Sequence, residues 1–136
     1  MTADMAFYLD TSALVKLVAA EKESKDLRDF VGDHELVSSL IARIELIRAV
    51  ARKHERMIER AEDVLSDVSY IAVNHVTTGA AAWIQPWTLR SQDALHVASA
   101  LRVRPALEAL VTYDRRMVDA GRTAGLPVAS PGASAG

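Results

Sequence analysis

Cysteine is the residue type that this sequence lacks altogether. Its absence from the 136 residues excludes disulfide bonds, thiolate metal ligands and thiol nucleophiles. The four histidines do not occur at the spacing of an HExxH zinc site. Sixteen basic side chains stand against eighteen acidic ones, which gives a formal net charge of −2. The chain therefore lacks the overall excess of Lys and Arg that is typical of nucleic-acid-binding domains, although a local basic cluster is compatible with that sum.

Long apolar runs are also missing. No segment approaches the roughly 20 apolar residues that a membrane-spanning helix needs. The N-terminal MTADM has neither the basic start nor the apolar stretch of a signal peptide. Half of the residues are nevertheless hydrophobic, which is enough to build a core in a chain of this length. We therefore expect one folded, cytoplasmic domain that does not contact a membrane.

Apolar periodicity divides the chain into alternating strands and helices. Strands are predicted at 6–9, 35–37, 70–73, 109–112 and 126–129. Helices are predicted at 12–20, 22–31, 39–55, 56–67, 75–84, 91–103 and 115–124. Such alternation indicates an α/β fold with a mainly parallel central sheet of about four to five short strands flanked by helices. We expect the domain to span residues 1–129 and to be followed by a flexible tail, residues 130–136.

Four acidic residues fall at positions where a carboxylate is unusual or informative. Asp10 ends the first predicted strand, in YLDTSALVKL, and Asp114 follows the strand in ALVTYD. Because parallel strands end at the same edge of a sheet, both carboxylates are expected at that edge. Asp93 lies in the first turn of the helix in SQDALHVASAL, and Glu45 lies on or near the apolar face of its helix. These acids are the candidate site residues.

Each of these acids also has an ordinary structural interpretation. Asp10 and Asp114 could cap the helices that follow them, and Asp93 could favour the positive end of its helix. Glu45 could pair with an arginine further along its own helix. If the acids converge, however, they repel one another and need raised pKa values. A divalent cation removes that repulsion, and an all-oxygen site suits Mg²⁺ or Mn²⁺ better than zinc.

Four segments together resemble a known family. YLDTSALVKL, VSSLIARIELIRA, SQDALHVASAL and LVTYDRRMV occur in the order found in PIN-domain ribonucleases. The chain resembles most closely the toxin subunits of VapBC toxin–antitoxin modules, from Phe7 to about Pro127. The resemblance implies a PIN-like domain and a metal-dependent endoribonuclease. It also implies that Asp10 and Asp93 bind the ion directly. Glu45 and Asp114 would bind it through water, hold a second ion or orient the attacking water.

The resemblance places hydroxyl groups beside the acids, at Thr11 or Ser12 and at Thr112. They are expected to contact the metal's ligand shell or a phosphate, with ordinary capping as the alternative. An acidic pocket also needs a basic rim to attract RNA, and phosphate contacts of this kind give affinity without sequence preference. Candidates for the rim are Arg43, Arg48 and Arg115, with Lys16, Arg52, Lys53, Arg56, Arg90 and Arg116 as further basic residues nearby in sequence. The alternative for most of them is a solvated, salt-bridged helix face.

Three further side chains allow two interpretations each. Trp83 is expected to pack, whereas Trp87 is left open between packing and stacking on an unpaired base. His96 lies one turn after Asp93. It could contact the residues that bind the metal without binding the metal itself, although a core or surface position is the simpler expectation.

The resemblance also implies partners and chemistry. The expected assembly is a homodimer held inactive by a cognate antitoxin, whose amphipathic segment could carry an arginine into the acidic pocket. Water activated by a metal ion would hydrolyse an RNA phosphodiester to 5′-phosphate and 3′-hydroxyl ends. The alternatives are a non-catalytic PIN-like binding module and an aspartyl phosphotransferase with Asp10 as nucleophile. The second is disfavoured, because Ser12 stands where the haloacid-dehalogenase pattern has another aspartate.

Overall fold

The computed structural model describes residues 5–134. Over this range the strands are β1 (Ala6–Leu9), β2 (Glu35–Ser39), β3 (Val68–Ile71), β4 (Leu107–Val111) and β5 (Val128–Ala129). The helices are α1 (Thr11–Val18), α2 (Ser24–Val31), α3 (Ala42–Lys53), α4 (Ile58–Ser66), α5 (His75–Ala81), α6 (Ser91–Arg102) and α7 (Arg115–Thr123). Two short 3₁₀ turns, Glu55–Met57 and Arg104–Ala106, precede α4 and β4.

Within residues 5–134, the five strands form one parallel sheet in the order β3-β2-β1-β4-β5. The chain builds outward from β1 to β2 and β3, and then crosses to the other side of β1 to add β4 and β5. The order of the strands therefore reverses between β1 and β4. In open parallel sheets, ligands bind beyond the carboxyl ends of the strands at such a reversal.

The central strand β1 is buried on both faces, as expected for a parallel sheet covered by helices. Phe7 and Leu9 point into a core formed with α1, α2, α3 and α4. Ala6 and Tyr8 point into a second core formed with α6 and α7. The two-residue alternation of a strand thus divides β1 between two layers of helices. The α/β architecture expected from the sequence is confirmed.

The ends of β1 and β4 are held in register. Leu9 pairs with Val111, and the backbone N–H of Asp10 donates to the carbonyl of Val111 over 3.3 Å. The next residue of each strand therefore lies at the same edge of the sheet, so that Asp10 and Thr112 are neighbours. The register of the sheet builds the centre of the candidate site.

Several predicted boundaries differ from the structure. The strand predicted at 70–73 is Val68–Ile71, because Val68 pairs with Leu36 of β2. The helix predicted from residue 39 begins at Ala42, because the preceding serines extend β2. Ser38 is fully buried and its hydroxyl donates to the carbonyl of Leu9 over 2.6 Å. Such a bond between strands leaves no trace in the local apolar pattern.

None of the helices described within residues 5–134 has the length and apolar character needed to cross a membrane. The hydroxyl of Ser130 donates to the carbonyl of Thr112 over 2.5 Å, and the hydroxyl of Tyr113 donates to that of Pro131 over 2.8 Å. The chain just after β5 is therefore bonded to the loop after β4. The domain boundary at 129 and the flexibility of the tail remain predictions, and residues 135–136 lie outside the described range.

Candidate active site

Asp10 lies at the centre of the site, between β1 and α1. Its Oδ1 accepts hydrogen bonds from the Ser12 hydroxyl over 2.7 Å and from the Ala13 backbone N–H over 3.0 Å, which makes it the cap of α1. Its Oδ2 accepts a bond of 2.6 Å from the Thr112 hydroxyl. Burial raises the pKa of Asp10, against the opposing effects of His96 and these hydrogen bonds. Asp10 therefore caps α1 and also lies at the edge of the sheet where the acids were expected to meet.

Thr112 and Ser12 bind the loop after β4 to Asp10. The Thr112 hydroxyl, fully buried, also accepts the backbone N–H of Asp114 over 3.1 Å. The Ser12 hydroxyl accepts the N–H of Tyr113 over 3.0 Å. Asp114 is thereby brought to the same edge, where its Oδ1 caps α7 by accepting the N–H of the residue two positions on, over 2.9 Å. The predicted hydroxyl positions thus organise the acids.

Glu45 projects from α3 toward α1 and α6. Its Oε1 accepts the Thr11 hydroxyl over 2.9 Å and lies 2.7 Å from Nε2 of His96. Burial alone would raise the pKa of this carboxyl, but the hydrogen bond and charge of His96 and the bond from Thr11 outweigh it. The pKa of Glu45 is therefore lowered. The structure pairs Glu45 with residues of other helices, not with an arginine of its own helix.

Asp93 lies in the first turn of α6 and is 7% exposed. Its Oδ2 accepts a hydrogen bond of 3.2 Å from Nε of Arg90, and Arg90 is otherwise exposed. That bond, with the charges of Asp93, Asp114 and Glu45, raises the pKa of Arg90. Asp93, Asp114 and Glu45 come from three separate parts of the chain, and Arg90 lines the same cleft as all three.

The four acids line a single cleft of about 800 Å³ beyond the carboxyl ends of β1 and β4. Its rim carries basic side chains from α3 and from the start of α6, namely Arg48, Arg52, Lys53 and Arg90. An acidic floor under a basic rim suits a ligand that is anionic overall but whose reacting group is brought against the acids. The basic rim attracts an anionic ligand, whereas the acids repel it unless a cation lies between them and the ligand.

Arg43 lies outside this cleft, in a groove beside Leu65 and Tyr70. The reason is helical geometry: Arg43 precedes Glu45 by two residues and is turned about 200° from it, whereas Arg52 follows by seven residues and is turned only about 20° away. Arg115 lines a different depression, next to Tyr113 and Ser130. The predicted contacts of Arg43 and Arg115 with substrate thus receive no support from the cleft.

Lys16 and Trp83 also differ from their expected positions. Lys16 pairs with Glu21 at 3.1 Å and Glu23 at 3.0 Å, so it is used within the fold and does not line the cleft. Trp83 does not pack into the chain, since it is 75% exposed. The expectation of packing for Trp83 within the chain is therefore wrong.

Trp87 borders a second cavity, of about 420 Å³, between α5 and α6. It is 65% exposed, and its ring meets that of Trp83 edge-on with centroids 6.1 Å apart. The side chains that line this cavity are uncharged. Ile41 and Gln92 line both this cavity and the acidic cleft, so the two adjoin.

The donors of the cleft decide which metal it fits. They are carboxylate and hydroxyl oxygens, the hard ligands that Mg²⁺ and Mn²⁺ take. Among the described residues, no three histidine or acidic side chains stand in an arrangement that would enclose an ion by themselves. Mg²⁺ is usually held by only one or two carboxylates together with water and substrate phosphate. The donor set therefore fits an ion shared between protein, water and phosphate.

These features define a class of protein: a parallel α/β domain with an acidic, oxygen-lined cleft where the order of its strands reverses. The family model for the PIN domain matches residues 7–123, a range that contains all four acids. The chain belongs to the PIN-domain family, as its resemblance to that family implied.

Known relatives and structures agree with this assignment. The chain is 39% identical over 132 residues to Ribonuclease VapC47 of Mycobacterium tuberculosis, covering 93% of this chain and 97% of the relative. Two solved structures share the fold. A toxin–antitoxin complex from Klebsiella pneumoniae has a TM-score of 0.67 at 23% identity, over 91% of this chain and 96% of that one. The sarcin–ricin-loop-cleaving toxin VapC20 of M. tuberculosis has a TM-score of 0.70 at 15% identity, over 85% and 95%.

Proposed function

We propose that this chain is a VapC-type endoribonuclease, the toxin of a type II toxin–antitoxin module, which hydrolyses RNA phosphodiester bonds with the help of Mg²⁺ or Mn²⁺. The observation that carries the proposal is the meeting of Asp10, Glu45, Asp93 and Asp114 in one cleft. They come from four segments of the chain, yet border the point of the sheet where ligands are expected. The name of the relative VapC47, a ribonuclease, supports the same activity.

The acids of the cleft have different proposed roles in binding the metal ion. Asp10 and Asp93 are the proposed direct ligands, and Asp114 is a ligand through water or to a second ion. When bound, the ion supplies charge neutralisation at the phosphate and a more acidic water. The hydroxyls of Ser12 and Thr112 hold both oxygens of Asp10 in place.

Glu45 is the proposed acceptor that orients the attacking water. Its lowered pKa keeps it anionic at neutral pH, which is the state that can accept a hydrogen bond from water. Water is the proposed nucleophile and the 3′-oxygen the proposed leaving group. The bond from phosphorus to the 3′-oxygen breaks, and the products should carry 5′-phosphate and 3′-hydroxyl ends.

The basic rim of the cleft and the cavity at Trp87 are the proposed binding surfaces for RNA. Arg48, Arg52 and Lys53 of α3, together with Arg90, offer charges to the RNA backbone without reading its sequence. The uncharged cavity at Trp87 adjoins the cleft and offers an aromatic face, which suits an unpaired base next to the bond to be cut. We propose that RNA lies across both.

The proposed partner is a cognate antitoxin, with the toxin itself a homodimer in the cytoplasm. A toxin–antitoxin complex among the structures of the same fold supports the antitoxin as partner. A basic side chain of the antitoxin entering the cleft would neutralise the acids, as Arg90 does in part for Asp93. Binding of the antitoxin would then compete with both metal and RNA.

The test is cleavage of labelled RNA with and without Mg²⁺ or Mn²⁺, by the wild-type protein and by Asp10→Asn. Asp29→Asn is the matched control, because Asp29 is an exposed acid of α2 whose ion-pair partner among residues 5–134 is Lys25. The proposal predicts metal-dependent cleavage by the wild type and the control, and none by Asp10→Asn. Binding of RNA without cleavage, indifferent to metal, would instead identify a binding module. A stable acyl phosphate on Asp10 would identify a phosphotransferase.

A further inference from the structure

We infer that His96 is a positioning residue, which holds Glu45 in place through a hydrogen-bonded chain running from Tyr8 through His96 to Glu45. The inference deepens the proposed function and rests on it. His96 is 1% exposed, and both of its ring nitrogens have partners. Nδ1 lies 2.8 Å from the Tyr8 hydroxyl, and Nε2 lies 2.7 Å from Oε1 of Glu45.

The polarity of this chain follows from what each group can donate. A carboxylate only accepts, so Nε2–H of His96 donates to Glu45. When the imidazole is neutral, Nδ1 accepts a hydrogen bond from the Tyr8 hydroxyl; when it is charged, both ring nitrogens donate and the tyrosine oxygen accepts. Tyr8 is completely buried, which raises the pKa of its phenol and keeps it a donor. In the hydrogen-bonded series Tyr8–His96–Glu45, every donor therefore faces an acceptor.

This series of hydrogen bonds connects Glu45 to the central strand of the sheet. Tyr8 lies on β1, two residues before Asp10, and its ring meets that of His96 edge-on with centroids 5.8 Å apart. The imidazole cannot turn without losing a bond at each end. Since Tyr8 lies on β1 and Asp10 follows the last residue of that strand, β1 sets the positions of Asp10 and, through His96, of Glu45.

The bonds also leave part of Glu45 available. Within the described part of the chain, the hydrogen bonds from Thr11 and His96 both fall on Oε1. No donor among the described residues falls on Oε2, and Glu45 lines the cleft, so this oxygen can accept a hydrogen bond from water. A buried histidine needs a partner on each ring nitrogen in any case. What points to positioning is that one of the two partners is a carboxylate that lines the cleft.

Kinetics separate positioning from packing. His96→Leu replaces the imidazole with an apolar side chain of similar bulk, whereas His96→Gln supplies an amide N–H donor in place of Nε2–H. We expect kcat to fall roughly 10- to 100-fold in His96→Leu, as for other residues that orient a ligand of the site. KM for RNA should stay within about twofold, and His96→Gln should recover part of the rate. His34→Leu, the same change at an exposed histidine, should cleave at the wild-type rate.

A double variant tests whether His96 acts through Glu45. In a Glu45→Gln background, adding His96→Leu should lower kcat no further, because the carboxylate that it positions has already gone. Melting temperatures of all variants provide the folding control. An equal loss of kcat in both backgrounds, or full activity of His96→Leu, would overturn the inference.

A readout without metal or RNA completes the test. In ¹H–¹⁵N spectra of the metal-free protein, the Nε2–H proton of His96 should be protected from exchange, and Glu45→Gln should shift it. A ring proton indifferent to Glu45→Gln would overturn the inference even if His96→Leu were slow. If the wild type cleaves no RNA, the proposed function fails, and this spectrum alone decides whether His96 orients Glu45.

Discussion

Replacing Thr112 with valine removes one hydroxyl from the floor of the cleft while nearly keeping the shape of the side chain. That hydroxyl donates to Oδ2 of Asp10 over 2.6 Å and accepts the backbone N–H of Asp114 over 3.1 Å. A hydrogen bond to a charged group contributes about 1.5–3 kcal/mol, and a neutral one about 1 kcal/mol. The free energy of unfolding should therefore fall by about 2.5–4 kcal/mol at neutral pH, which corresponds to a loss of roughly 9–14 °C in Tm.

The pH dependence of this loss identifies its cause. The bond from Thr112 favours the ionised form of Asp10, so its contribution is present at high pH and is lost as pH falls through the pKa of that carboxyl in the folded protein. Urea unfolding of both proteins across the acid range measures the difference. A loss below about 0.5 kcal/mol, the size of an ordinary surface change, or a loss that is the same at every pH, would refute the reasoning. Thr88→Val, at an exposed position, is the control.

Three further predictions concern charge and substrate. Because the pKa of Glu45 is lowered in the fold, its carboxylate contributes stability above the ordinary value of 4.5 that is lost as pH falls below it; unfolding of Glu45→Gln should approach that of the wild type at acid pH. Arg52→Gln should weaken RNA binding equally for all sequences and reduce the slope of log affinity against log salt by about one, whereas Arg43→Gln should change neither. Trp87→Ala should raise KM about 5- to 150-fold on single-stranded RNA, the equivalent of 1–3 kcal/mol of stacking, with kcat unchanged; equal KM values would remove Trp87 from the substrate path.

The sequence predicted the fold because local pattern and global arrangement agree. Strands and helices alternate, and Asp10 follows a strand that is apolar throughout. An acid at the end of a buried strand is informative without any partner being known, since burying a charge is costly unless something binds it. The same argument extended to Asp114, because parallel strands end at one edge.

What could not be predicted depends on contacts between distant parts of the chain. Glu45 and His96 are 51 residues apart, and the link between them exists only because α3 and α6 lie on either side of the strand ends. Helical phase, by contrast, was available in the sequence: it separates Arg43 from Arg48 by about 140°. Arg43 could have been excluded from the cleft on that ground alone.

Binding of Mn²⁺, followed by the paramagnetic broadening of backbone amide signals, tests the central claim that four distant acids surround one metal-binding cleft. The account predicts that one bound Mn²⁺ broadens the signals of Asp10, Glu45, Asp93 and Asp114 together, and that Asp93→Asn abolishes all four effects. Broadening confined to Asp10 and Asp114, or undiminished in Asp93→Asn, would contradict it.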